Sequence, residues 1–269
     1  MTGGVALELI AQDAAAVRVA ASFGAARVEL CQALALGGLT PSIATVEAAV
    51  AAARELGGSV GVHVLIRPRG GGFHYTADEV AVMAGDIRAA VAAGADGVVI
   101  GCLDASGRLA VDEMRRLRDA AGDAGVAAHR AIDVSADPLE AFDTLIELGL
   151  DRVLTSGAAP TAFDGRAMLR DFVDRADGRI AVVAGGGVTA TTVPAILETG
   201  VRELHFSAKR TVSDRSGVSM GSASEGVGDY EVVDSEVAFA IADAARRAVA
   251  EVADPEASVS AATVGGVTR

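Results

Sequence analysis

The sequence predicts a single-domain (β/α)8 TIM barrel, an α/β fold in which eight parallel strands alternate with helices. Three observations lead to this prediction. The chain has 269 residues and is 51% hydrophobic, so it can bury one large core. Short apolar strands alternate with helical runs along most of its length. In addition, one junction repeats, in which a glycine ends a helical run and a strand follows, at Phe23–Cys31, Ala93–Cys102, Leu148–Gly157 and Thr199–Ala208.

Eight segments have the apolar character of buried strands. They are Ala6–Ile10, Arg27–Cys31, Val60–Ile66, Gly97–Gly101, Ala127–Ile132, Arg152–Ser156, Ile180–Ala184 and Glu203–Ser207. In the third, the even-numbered residues 60–66 are all β-branched, whereas the odd-numbered side carries His63 and Arg67. Successive side chains of a strand face opposite sides, so we expect one apolar and one polar face.

Helical spacing of apolar residues fills the intervals between these strands. The predicted helices are Ala14–Phe23, Ile43–Leu56, Ala77–Ala93, Val111–Ala124, Pro138–Leu148, Ala167–Ala176 and Val193–Glu198, with a last helix, Ser235–Val252, after strand eight. Asp137 and Pro138 are a typical helix start, a capping carboxylate followed by proline at the first helical position. A doubly wound open sheet is the alternative, but it usually has fewer strands.

Two segments fall outside the alternating pattern. Residues 211–229 are rich in Ser and Gly and follow strand eight, so they could form a lid, a subunit contact or a disordered loop at the barrel mouth. We expect residues 1–252 to form the barrel and residues 253–269 to be a flexible tail.

Composition excludes several classes of function. The net charge of −13 argues against nucleic acid or an anionic membrane as a general partner. Cys31 and Cys102 are too few for a disulfide framework, and neither a signal-peptide pattern nor a membrane-spanning apolar stretch is found. We therefore expect a cytoplasmic protein whose partner is a small molecule or anion at the barrel mouth.

Polar side chains collect where the predicted strands end, which is where barrel enzymes have their active sites. Glu8 or Glu29 could remove a proton and His63 or His129 could return it, while Arg67 and Arg130 could hold an oxyanion. The candidate catalytic residues are Glu8, Glu29, His63, Arg67, His129, Arg130 and Asp133. The alternative interpretation is a neutralised salt-bridge network that fills the barrel.

A second group of residues follows strands six to eight. Gly185, Gly186 and Gly187 are typical of a phosphate-binding loop, because loops after strands seven and eight often bind anions through backbone N–H groups. The predicted ligand-binding residues are Ser156, Gly185, Gly186, Gly187, His205 and Ser207. A plain tight turn would explain the glycines equally well. Cys31 is a candidate metal ligand, although a lone cysteine is more often a small buried apolar residue.

Seven motifs together resemble the CutC family associated with copper homeostasis. They are RVELC (27–31), GGLTPS (37–42), IRPRGG (66–71), HRAID (129–133), RVLTSG (152–157), GGGV (185–188) and HFSA (205–208). The resemblance implies a cytoplasmic TIM barrel that forms a homo-oligomer, a dimer or tetramer. It also implies Cu(I) binding with Cys31 as a ligand, whereas Cys102 has no matching motif.

The chain departs from the family pattern at two places. Gly72 stands before Phe73 where an Asp is frequent, and Ile132 stands where a Phe is common. The segment Gly217–Met220 resembles a family loop, so residues 211–229 are predicted to be ordered in part. Two functions follow: a copper-homeostasis protein binding Cu(I), or a metal-independent barrel enzyme, a lyase, isomerase or hydrolase, acting on a small sugar-like or acidic substrate.

Overall fold

The protein folds as a closed barrel of eight parallel strands, in which strands that follow one another in the chain are also neighbours in the sheet. The computed structural model describes residues 4–213 and 229–253. The strands are β1 Ala6–Ala11, β2 Arg27–Leu30, β3 Gly61–Leu65, β4 Gly97–Ile100, β5 Gly125–Ala128, β6 Arg152–Thr155, β7 Ala181–Gly185 and β8 Glu203–Phe206. The predicted fold class is therefore confirmed.

Helices surround the barrel in the predicted order. They are α1 Ala14–Ser22, α2 Ile43–Glu55, α3 Ala77–Ala92, α4 Val111–Ala120, α5 Pro138–Glu147, α6 Arg166–Ala176, α7 Val193–Leu197 and α8 Ser235–Ala253. Asp137 caps α5, accepting hydrogen bonds from the N–H groups of Leu139 and Glu140, as its sequence predicts. None of the helices in the described ranges is long and apolar enough to cross a membrane.

Strand five is shorter than predicted, and this changes the mouth of the barrel. The sequence predicts that residues 130–132 continue the strand, but Arg130–Val134 form a 3₁₀ turn instead. The cause is His129, whose Nδ1 accepts a hydrogen bond from the N–H of Ala131 and so caps the turn. Helix α4 also ends early, at Ala120, before Gly122 adopts a positive φ of 59°.

A small antiparallel ribbon lies beyond the barrel. Lys209–Val212 (β9) pairs with Tyr230–Val233 (β10). The first residues of the predicted Ser/Gly-rich segment are thus ordered, while residues 214–228, which include Gly217–Met220, lie outside the described residues. The predicted tail, from residue 254 onward, lies outside them too, and the predicted homo-oligomer stays a prediction.

The register brings side chains of the same face together around the barrel. Glu8 of β1 pairs with Arg27 of β2 and with His205 of β8, and Glu29 of β2 pairs with His63 of β3. Outward-facing apolar residues pack against the helices and form the main core, which includes Leu9, Val28 and Val64. The inward face is different, with a smaller apolar cluster of Cys31, Leu65, Val99 and Ala127 above charged residues.

Phe142 and Phe172 join α5 to α6, with their rings stacked at 4.6 Å and both side chains fully buried. We predict that Phe142→Ala lowers the free energy of unfolding by about 3–5 kcal/mol because it leaves a cavity in the core. Phe163→Ala is the matched control, since Phe163 is 39% exposed. Urea unfolding of both variants measures the difference, and an equal effect of the two would contradict this account of the core.

Candidate functional site

A cavity of about 630 Å³ opens at the carboxyl ends of the strands. Its lining combines an acidic group deep in the barrel, an apolar wall and a polar rim. The polar and charged lining residues are Glu29, Arg67, His129, Arg130, Thr189, His205, Ser207 and Lys209, and the apolar ones include Ile10, Cys31, Leu65, Phe73 and Leu154. A cavity of this size suits a small metabolite.

A network of buried ion pairs crosses the barrel interior. The Arg27 guanidinium donates to the carboxylates of both Glu8 and Glu203. The Nε of Arg152 lies 3.4 Å from Glu203 Oε2 and extends the network to β6. Buried charges of this kind are tolerated only when they are paired, and here strands β1, β2, β6 and β8 supply the partners.

His205 links this network to Glu29. Its Nδ1 lies 2.6 Å from Glu8 Oε1, and its Nε2 lies 3.4 Å from Glu29 Oε2. Burial would lower the pKa of His205, but the hydrogen bond with Glu8 and the charges of Glu29 and Glu8 raise it. The two carboxyl groups therefore favour the protonated imidazole that lies between them.

The two carboxyl groups beside His205 have opposite pKa shifts. Burial opposes ionisation of Glu8, but the hydrogen bond with His205 and the charges of His205 and Arg27 lower its pKa to about 2. Burial raises the pKa of Glu29 to about 7. The charge of His205 lowers this pKa and the charge of Glu8 raises it. Glu8 is thus ionised at neutral pH, whereas Glu29 can gain or lose a proton near neutral pH.

His129 is buried in the cavity wall as a neutral imidazole. Burial and the charge of Arg67 lower its pKa to about 4. Its Nδ1 accepts a hydrogen bond from the Ala131 N–H, so the proton is on Nε2, which has no hydrogen-bond partner among the described residues. Gly101 makes room for the ring, because a Cβ there would lie 2.3 Å from Cε1 of His129.

Arg67 serves mainly to hold two loops together. Its Nη1 donates to the carbonyl oxygens of Leu36 at 2.7 Å and Gly38 at 3.0 Å, and its Nη2 donates to Gly71 at 2.7 Å. The guanidinium carbon lies 5.2 Å from the centre of the Phe73 ring. Most of its donors therefore bind backbone carbonyls of the loops after β2 and β3.

Asp133 organises the rim after strand six. One of its oxygens accepts from the N–H of Ser156 at 2.9 Å and from the Arg130 Nε at 2.7 Å, while the other accepts from the N–H of Ala158 at 3.1 Å. Arg130 Nη2 donates to Ser156 Oγ at 2.7 Å. With its oxygens occupied, Asp133 positions Arg130 and the β6 loop.

The predicted site residues separate into two groups. The cavity is lined by Glu29, Cys31, Arg67, His129, Arg130, Gly186, Gly187, His205 and Ser207. Behind this lining lie Glu8, His63, Asp133, Ser156 and Gly185, which support it. Burial lowers the pKa of His63 to about 4, and its Nδ1 has no partner among the described residues. It thus stays neutral behind the cavity.

Sequence reasoning missed two arginines and one carboxylate of the buried network, namely Arg27, Arg152 and Glu203. Arg27 stands two residues before Glu29, and Glu203 stands two before His205, so both lie on inward faces already recognised as polar. The period of two could have identified them. Lys209 follows Ser207 after strand eight, where the sequence suggests an anion site, and it lines the cavity.

The donor set does not fit a Cu(I) site. Within the described ranges, one group of three metal-ligating side chains comes within 4.8 Å: Glu8, Glu29 and His205. These are hard ligands, and Cu(I) prefers thiolates and thioethers. Burial and then the charge of Glu29 raise the pKa of Cys31, which keeps it as a thiol. Cys102 packs in the outer core, away from the inward cluster that contains Cys31.

The fold and the cavity define a (β/α)8 barrel with a buried acid–base cluster below its mouth. The model of the CutC family matches residues 5–210. The chain therefore belongs to the CutC family, as its motifs predict.

Similar proteins agree with this assignment. A CutC family protein of Xylella fastidiosa is 42% identical over 231 residues, covering 86% of this chain and 85% of that protein. One from Bacteroides fragilis is 43% identical, covering 77% and 83%. The crystal structure of a CutC from Streptococcus agalactiae, named for a proposed part in copper homeostasis, has a TM-score of 0.70 and 32% identity, covering 75% of this chain and 97% of that one.

The pKa of Glu29 leads to a prediction about stability. Glu29 holds its proton up to about pH 7 in the folded chain, against an ordinary value of 4.5. The stability gained from this proton is fully present below about pH 4.5 and is lost as the pH rises through 7. The quantity to compare is the free energy of unfolding of the wild type minus that of the Glu29→Gln variant. We predict that this difference falls by roughly 3 kcal/mol from pH 4.5 to 8.

Urea unfolding of both proteins at several pH values measures this difference. The contributions of His63 and His129 are common to both proteins and cancel in the subtraction. A difference that stays constant over this range would show that Glu29 titrates normally.

Proposed function

We propose that this protein is an enzyme that transfers a proton to or from a small polar molecule bound in the cavity, with Glu29 as the exchanging group. The observation that carries the proposal is the position of Glu29, a buried carboxyl group that lines the cavity and lies 3.4 Å from Nε2 of His205. A carboxyl group that faces a substrate cavity and titrates near neutral pH suits a general acid or base.

The surroundings of Glu29 support this role. Enzymes often assign acid and base roles by separating the pKa values of two carboxyl groups, and here Glu8 and Glu29 are separated in that way. The Glu8 carboxylate keeps His205 protonated and oriented. The cationic imidazole then stabilises the Glu29 carboxylate once Glu29 has given up its proton. The barrel interior can therefore accept Glu29 in either charge state.

Solvent exchange tests the proposal. The panel contains aldoses, ketoses, their phosphates, and 2-oxo and 2-hydroxy acids, incubated with the protein in D2O and followed by proton NMR. We expect at least one compound to lose a C–H signal or form a product, at a rate that falls at least about 100-fold in Glu29→Gln. Glu198→Gln, which changes an exposed carboxylate after α7, is the matched control and keeps full activity.

If Glu29 acts as the base, the exchange rate rises with pH through an apparent pKa near 7, because the ionised form is the active one. If it acts as the acid, the rate falls through the same pH. Exchange that is equally fast in the wild type and in Glu29→Gln would refute the role of Glu29, as would a panel with no exchange at all.

Cu(I) binding is the second candidate function. It is favoured by the position of Cys31 in the cavity lining and by the name of the Streptococcus agalactiae relative. It is opposed by the donor set, since the thiol has no second soft ligand among the inward-facing residues near it that the structure describes. A cytoplasmic location is compatible with both candidates, because Cys31 and Cys102 are free thiols.

A competition experiment decides between them. The protein, kept reduced, competes with a chromophoric Cu(I) chelator, and Cys31→Ala is compared with Cys102→Ala. We expect no uptake that depends on Cys31, because burial disfavours its thiolate. Stoichiometric uptake that is lost in Cys31→Ala and kept in Cys102→Ala would instead establish the copper function.

A further inference from the structure

The rim of the cavity after β7 carries hydrogen-bond donors that nothing else in the described chain uses. Gly186 and Gly187 line this rim with positive φ values of 98° and 68°. The N–H groups of Gly186, Gly187 and Val188 donate no hydrogen bond to any residue in the described ranges. Consecutive N–H groups in such a left-handed turn form a concave site that favours an anion.

Two cations belong to the same cavity lining as these N–H groups. The Arg130 guanidinium lies against Gly186, where a Cβ would come within 2.9 Å of its Nη1. Arg130 uses Nε for Asp133 and Nη2 for Ser156, and its Nη1 has no hydrogen-bond partner among the described residues. Lys209 lines the same cavity and its Nζ lies 2.6 Å from Glu231 Oε1, on the ribbon beyond β8.

The charge of the rim contrasts with that of the whole protein. The chain has a net charge of −13, so it repels anions in general. An anion that binds here must be held by local donors. The three free N–H groups, the open Nη1 of Arg130 and the Lys209 ammonium belong to the lining of one cavity, and so many donors suit the three terminal oxygens of a phosphate monoester better than a flat carboxylate.

We infer that the substrate is a small phosphate monoester, whose phosphoryl group is bound by the N–H groups of Gly186, Gly187 and Val188 together with Arg130 and Lys209. The inference rests on the proposed function, because it assigns the other end of the same molecule to Glu29. The cavity of about 630 Å³ accommodates a short carbon chain between the two ends. The substrate class is therefore a phosphorylated hydroxy or carbonyl compound.

Inorganic phosphate is the probe that tests this site. We expect saturable binding that shifts the amide resonances of Gly186, Gly187 and Val188 in nitrogen-15 NMR spectra. Lys209→Met should weaken the affinity about tenfold, since it removes one charged donor. Arg210→Met is the matched control, because Arg210 is the next residue on β9, is exposed, and does not line the cavity.

Further variants separate the possible outcomes. Arg130→Gln should weaken the binding of phosphate in the same way. If this change disturbs the loop around Asp133, Lys209→Met still tests the site. Acetate at equal ionic strength should shift the same amides less than phosphate. Shifts elsewhere in the barrel, an equal loss in Arg210→Met, or tighter binding of acetate would overturn the inference.

The Glu29→Gln variant distinguishes this inference from the proposed function. It should still bind phosphate, because Glu29 is on β2, whereas the proposed phosphate donors follow β7 and β8 and the 3₁₀ turn after β5. If phosphate binds as expected but Glu29→Gln leaves proton exchange unchanged, the phosphate site stands and the role of Glu29 fails. A second outcome is that exchange requires Glu29 but occurs only on compounds without phosphate, and that phosphate shifts no rim amide. In that case the phosphate site is refuted and the role of Glu29 stands.

Discussion

The balance of charge inside the barrel is the constraint on which the site depends. When Glu29 is ionised, three carboxylates face three cations in the interior, namely Glu8, Glu29 and Glu203 with Arg27, Arg152 and His205. Unpaired charge is costly in such a place, so the network fixes the ionisation of each member. Glu29 is at its edge, with one long contact to His205, and its charge state is the one that remains adjustable.

The same network joins the strands that must close the barrel. Glu8 of β1 contacts Arg27 of β2 and His205 of β8, so one carboxylate bridges the first strand to both of its neighbours. Above it, Arg67 ties the loops after β2 and β3 through backbone carbonyls. The walls of the cavity are therefore positioned by two arginines whose side chains are occupied by the protein itself.

The chemistry of the cavity and the name of the family point in different directions. Copper homeostasis appears in the name of one relative, but the described inward-facing donors here are carboxylates and imidazoles, with the protonated thiol of Cys31. Such a set is suited to moving protons on a polar molecule. Membership of the CutC family accounts for the fold and the motifs of the chain. The proposed chemistry, in contrast, is drawn from the residues that meet in the cavity.

The sequence by itself determined the fold class, the order of the elements and the face of each strand that is polar. It could do so because periodicity is a local property: His63 and Arg67 alternate with β-branched residues whatever their neighbours are. It also predicted most of the polar and charged residues that line the cavity.

Only the tertiary structure decided which of those residues are free. Asp133, a predicted catalytic group, is occupied by the N–H groups of Ser156 and Ala158, and Glu8 is held by Arg27 and His205. Glu29 has the same side chain as Glu8 and belongs to an equally polar strand face, yet it remains without a close partner. The difference comes from contacts between strands that are distant in the chain, which set the desolvation and the charge around each group and which no local pattern records.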